Sequence, residues 1–201
     1  MSEVDRQDAL VVSALGSVGV SCSSIYDLVN SDRTYPAAVP VLLGLLPIVS
    51  NPRIKEGIVR ALADRSARGQ AEVPLLQMFR QLPPGESADG LRWVIGNSLS
   101  YLDVGKVADE LIAIASDSQY GMSRQMIVSA LGKIDDARAF DVLVGLLNDR
   151  SVTGHAIQAL RRLGDIRAIP FIKPYAQGKD GFLRRLAQSA LRSLEKRLQK
   201  A

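Results

Sequence analysis

The pentapeptide Val12-Ser13-Ala14-Leu15-Gly16 recurs letter for letter as Val128-Ser129-Ala130-Leu131-Gly132. Looser copies end in Ala61-Leu62, Ser98-Leu99, Ala159-Leu160 and Ala190-Leu191, so the last four steps between the leucines are 37, 32, 29 and 31 residues. A period in this range is the signature of stacked helical pairs, because one such pair cannot bury its apolar face alone and must lay it on the next copy. A chain of this kind presents a surface, and its function is written in the shape and chemistry of that surface.

Within each copy the apolar residues fall at helical spacing, as in Ile54, Ile58, Ala61, Leu62 and in Ile127, Ala130, Leu131, Ile134. A companion helix is expected before each, at residues 37–46, 73–80, 107–115, 139–147 and 168–175. Breakers separate the pairs, among them Ser50-Asn51-Pro52, the run Leu82-Pro83-Pro84-Gly85 and Asn148-Asp149-Arg150-Ser151. No alternating strand pattern is present, so the fold class is all-α. Residues 1–35 read as an N-terminal cap with helices at 8–18 and 25–29, and 36–201 as repeats, the whole forming one repeat domain. The 47-residue step from Leu15 to Leu62 departs from the period.

A hydrophobic share of 47% supplies a continuous core. One Cys and one His exclude a disulfide framework and a site of several soft ligands, which points to a reducing compartment, the cytoplasm. The apolar run 9–22 follows Glu3, Asp5 and Asp8, the wrong charge for a secretory leader, and no stretch reaches the ~20 apolar residues of a spanning helix. No membrane partner is expected. Residues 1–150 carry 14 basic against 18 acidic side chains, and residues 151–201 carry 11 against 3. That basic end holds Arg161, Arg162, Arg184, Arg185, Arg192, Lys196, Arg197 and Lys200, and it reads as a solubilising terminal cap with nucleic acid as the lesser alternative.

The segment from Arg138 through Asp149, RAFDVLVGLLND, followed by Gly154 through Asp165, GHAIQALRRLGD, resembles HEAT repeats, in particular the short HEAT-like repeats of bacterial proteins and phycobilin lyase subunits. The resemblance spans roughly residues 36–195. It implies a right-handed α-α superhelix of about five helical pairs behind the N-terminal cap, with second helices lining a concave face. It also implies that a basic residue seven positions before each repeat leucine reaches the Asp of a neighbouring turn. That column reads Asp8, Lys55, Arg92, Arg124, Thr153, Arg184.

Positions six and two before the leucine, and two after it, share one ridge of each second helix. There the chain places Glu56, Arg60 and Asp64, then Trp93, Asn97 and Tyr101, then Gln125, Ser129 and Lys133, then Gly154, Gln158 and Arg162, and finally Arg185, Ser189 and Ser193. The only Trp stands mid-chain with an amide, a phenol and charged neighbours, the usual composition of a binding hot spot. The expected partner-binding set is Glu56, Arg60, Trp93, Asn97, Tyr101, Gln125, Ser129, Gln158, Arg162 and Arg185.

The expectation is a non-catalytic scaffold, adaptor or regulator that binds another protein, with no cofactor and no metal. The alternative is a nucleic-acid-binding protein related to DNA alkylation repair glycosylases, which also use HEAT-like helices. Against it, Asn97 stands one turn from Trp93, and an amide cannot stabilise a developing sugar cation as a carboxylate would. A pigment-transferring role would need a reactive thiol, and Cys22 lies alone among serines. His155 has no second imidazole or positioned nucleophile in its pattern, and no Gly-rich loop follows a strand.

Overall fold

The computed structural model describes residues 2–199, and among them it forms twelve α-helices and no strand. They are α1 (Glu3–Gly16), α2 (Ile25–Val29), α3 (Ala38–Leu45), α4 (Pro52–Ala61), α5 (Glu72–Gln81), α6 (Glu86–Leu99), α7 (Ala108–Ser116), α8 (Gln125–Leu131), α9 (Ala137–Leu146), α10 (Thr153–Leu163), α11 (Ile169–Ala176) and α12 (Gly181–Leu198). The all-α expectation holds. Helix α1 begins five residues before the expected Asp8, because Ser2 and Asp5 form a reciprocal capping box that extends the helix to the N-terminal side.

The chain forms two compact units, the first ending at Asp103 and the second starting at Val104. In the second unit α7 packs on α8, α9 on α10 and α11 on α12, while α8, α10 and α12 stack on one another in turn and α7 lies on α9. This is the two-layer arrangement that the repeat demands. In the first unit α5 and α6 form such a pair and α4 stacks on α6, but α4 takes α2 as its other close neighbour while α3 lies on α1. The long step between Leu15 and Leu62 therefore holds an inserted helix, α2, in place of a regular pair. The pair expected at 37–62 is not closed.

The repeat leucine explains the period energetically. Leu15, Leu62, Leu99, Leu131 and Leu160 are wholly buried, each contributing on the order of 2 kcal/mol. Leu191 is only half-buried, and Ala187, Ala190 and Leu194 carry the core face of α12 instead.

The column seven residues before these leucines closes the helix pairs. A first helix ends with unpaired carbonyls that water cannot reach once the pair has formed. Arg124, 1% exposed, donates to the carbonyls of Ala115 and Gly121 and pairs with Asp149 of the next inter-helix turn. Arg92 donates to the carbonyls of Phe79 (3.1 Å) and Leu82 and pairs with Asp89 of its own helix at 3.1 Å. The Thr153 hydroxyl donates to the carbonyls of Leu147 (3.1 Å) and Asp149 (2.7 Å), and Arg184 reaches the Gly178 carbonyl at 3.3 Å. Asp8 instead accepts from the N–H of Ile25 at 3.0 Å. Arg124 thus reaches the Asp of a neighbouring turn as the resemblance implies, and Thr153 and Asp8 carry no cation to do so. The common task of the column is to satisfy helix ends, which a guanidinium performs at longer reach and a hydroxyl at shorter.

Each turn has a second device. Asp64, Asp117, Asp136, Asp149, Asp165 and Asp180 each accept the backbone N–H two residues on, fixing the start of the following helical turn. Ser151 holds the Asp149 carboxyl below the usual carboxylate range through its hydroxyl and its N–H, and Arg124 adds to that. Asp136 and Asp165 are lowered in the same direction, first by Arg138 and Arg167.

The two identical pentapeptides end in glycines with different duties. A Cβ on Gly132 would stand 2.6 Å from the carbonyl oxygen of Ala159, so α8 and α10 can approach only because that position has no side chain. At Gly16 nothing lies within 4 Å of such an atom. Gly132→Ala is therefore expected to cost about 1–3 kcal/mol. Gly16→Ala should be neutral or stabilising by up to about 1 kcal/mol. Urea denaturation of the two variants measures the contrast.

Ser98 stands where most repeats carry Ala, and its buried hydroxyl has no hydrogen-bond partner among the described residues. Replacing it with Ala removes a desolvated donor at little loss of packing, so Ser98→Ala should stabilise by about 1 kcal/mol in the same assay.

Removing Arg124 takes a donor from the Ala115 and Gly121 carbonyls and the counter-ion from Asp149, and Arg124→Met should destabilise by about 3 kcal/mol. Because the Asp149 carboxyl is depressed in the folded state, its contribution is complete above the unfolded value of about 3.9 and is lost as pH falls through the folded value. Stability measured from pH 7 to pH 2 should therefore fall at the acid end, and fall less steeply in Asp149→Asn.

Candidate functional site

In the first unit the expected partner-binding residues lie on two stacked second helices. Trp93 and Asn97 on α6, with Tyr101 just beyond its end, follow one ridge, and Glu56 and Arg60 on α4 follow the neighbouring one. The opposite side of α6, with Val94, Ile95 and Leu99, is buried. Trp93 remains 38% exposed and Tyr101 56% exposed, while Asn97 is half-buried and makes no side-chain hydrogen bond or ion pair among the described residues. Glu56 and Arg60 pair across one turn at 2.7 Å.

Arg60, Asp64 and Tyr101 border one cleft of about 150 Å³, together with Arg33 and Tyr35 from the segment after α2. Arg68 anchors its edge, donating twice to the Tyr101 carbonyl at 3.2 and 3.3 Å. The sequence pattern reached Arg60 and Tyr101 through their spacing. It missed Arg33 and Tyr35, which lie outside the repeat register and arrive through the inserted segment. Trp93 does not line this cleft.

In the second unit the set divides by what already engages it. Gln125 donates to the Ser151 carbonyl at 2.8 Å and Arg162 to the Ser129 carbonyl at 3.2 Å, so both are partly committed to joining α8 to the next repeat. Gln158 and Arg185 are exposed and make no side-chain hydrogen bond or ion pair among the described residues. Ser129 is half-buried on α8.

The basic end is exposed from Arg161 through Arg197, and Lys200 lies outside the described residues. Arg161 donates to the Ser189 hydroxyl at 3.0 Å, and Arg197 lies over Gly164, the left-handed glycine that ends α10. Part of the charge therefore serves the scaffold.

Among the described residues no group of three His, Cys, Asp or Glu side chains is placed to hold a metal, and no helix is long and apolar enough to cross a membrane. Burial raises the Cys22 thiol above its usual range, and Asp27 and Asp8 add to that, the reverse of what activates a thiolate. Burial also lowers the His155 imidazole below its usual range.

Paired short helices, stacked first on first and second on second, make the second unit a helical-repeat array. Its residues 108–192 match the family model of HEAT repeats. HEAT repeats are commonly protein-interaction scaffolds and typically non-catalytic. No curated protein matches the chain.

Proposed function

We propose that this protein is a non-catalytic scaffold or regulator that holds a partner protein against the exposed ridges of its second helices. The observation that carries the reading is the exposure of Trp93 on a helix whose other side is core, and of Tyr101 just beyond the end of that helix. Leaving large aromatic surface in water is unfavourable in the free protein, and the same surface is regained on association, which is why such residues dominate binding energy. Asn97 beside them supplies an orienting amide. Glu56 and Arg60 form a charged rim that selects partners by complementarity.

In the second unit Gln158 and Arg185 are the residues free to meet a partner, with Gln125, Ser129 and Arg162 acting from positions partly engaged in the scaffold. The binding is stoichiometric and takes place in the cytoplasm. The nucleic-acid alternative has less support, because Asp89, the carboxylate one turn before Trp93 on α6, is paired to Arg92, and Glu56 on the neighbouring ridge is paired to Arg60.

Partner recovered from the native cell with the wild-type protein, then titrated against variants, tests the reading. Trp93→Ala should weaken that complex by about 2 kcal/mol or more while leaving the melting temperature of the free protein nearly unchanged. Unaltered affinity in both Trp93→Ala and Tyr101→Ala, or release of a base from alkylated DNA by the purified protein, sinks it.

A further inference from the structure

The first unit contains two adjoining chambers of about 390 and 350 Å³ that meet at Lys55, Leu82 and Pro83. The larger lies between the end of α3 and α5, walled by Leu43, Leu46, Pro74, Met78 and Leu82, with the amides of Gln77 and Gln81. Among the described residues its one charged wall residue is Lys55.

Lys55 occupies the position that elsewhere closes a helix pair. It cannot do so here, because α3 lies on α1 and its last turn is finished by its own chain, with the Leu45 carbonyl accepting from the N–H groups of Ile48 and Val49. Lys55 is a half-buried residue and makes no side-chain hydrogen bond or ion pair among the described residues. An ammonium bordering this recess offers three donors, and an anion is the acceptor that also compensates its charge. The walls are stiff, since Pro47, Pro52, Pro74, Pro83 and Pro84 border the two chambers, so the recess exists before anything enters it.

We propose that this recess binds a small amphiphile with a single carboxylate head and an unbranched apolar tail. The head pairs with Lys55 and accepts from Gln77 or Gln81, and the tail lies against Leu43, Leu46 and Met78. Size and lining match a small-molecule site, apolar with a few polar groups that fix orientation. One negative charge is favoured over two, because a single ammonium serves the larger chamber and Glu86 borders the smaller.

Decanoate titrated into the whole isotope-labelled chain, with shifts read by two-dimensional NMR and 1-decanol as the neutral control, tests the proposal. Saturable shifts confined to residues 43–55 and 74–91, with decanoate bound about tenfold tighter than decanol, are expected. Lys55→Met should abolish that preference while still binding decanol, Lys55→Arg should retain it, and Trp93→Ala should leave it untouched. Equal affinity for decanoate and decanol in the wild-type protein, shifts that never saturate, or undiminished decanoate selectivity in Lys55→Met would overturn the assignment. The wild-type comparison decides the matter by itself if a Lys55 variant fails to fold.

Discussion

Carbonyl groups at the end of each first helix must find donors inside the stack, and much of the structure is arranged around that need. In an isolated helix, water would satisfy them. Once a second helix folds back and the next pair covers both, water is excluded and an unmet acceptor costs as much as a lost hydrogen bond. Arg124 answers the need most fully, since one buried guanidinium serves two carbonyls and also pairs with the next turn. It joins the closing of one pair to the position of its neighbour. Thr153 meets the same need with a shorter side chain and no charge, which requires no counter-ion.

The inter-helix aspartates complete this frame. Each accepts an N–H two residues on, and Arg138 ties the turn before α9 to the first turn of α7 by reaching both Asp136 and Asp109 at 2.6 Å. These pairs are largely exposed, so they set register more than they add stability. Stability comes from the repeat leucines and the small residues beside them, above all where Gly132 lets two backbones touch. Within the second unit the second helices α8, α10 and α12 consequently stack in turn, and exposed positions on their ridges lie outside that packing.

That division bears on function. Exposed ridge positions such as Trp93, Gln158 and Arg185 carry little packing duty, so a chain can place an aromatic, an amide or a charge there without disturbing the stack. Some of them are nonetheless recruited. Gln125 and Arg162 turn back to carbonyls of adjacent repeats, while Trp93, Gln158 and Arg185 do not. Where the column of closing residues fails, at Lys55, the frame opens into a recess.

Much of the fold was legible in the sequence because helical periodicity and breaker residues are local signals. The leucine spacing, the all-α class and nearly every helix position followed from them, as did the outward placement of Trp93 and Tyr101. What the sequence could not supply were the relations between segments distant along the chain. It gave identical pentapeptides no distinction, yet Gly132 meets the Ala159 backbone and Gly16 meets nothing. It could not say that α2 would occupy the side of α4, that Arg33 and Tyr35 would join Arg60 and Tyr101, or that Lys55 would lack the task its column performs. Periodicity specifies which face of a helix is buried, and only tertiary packing decides against what.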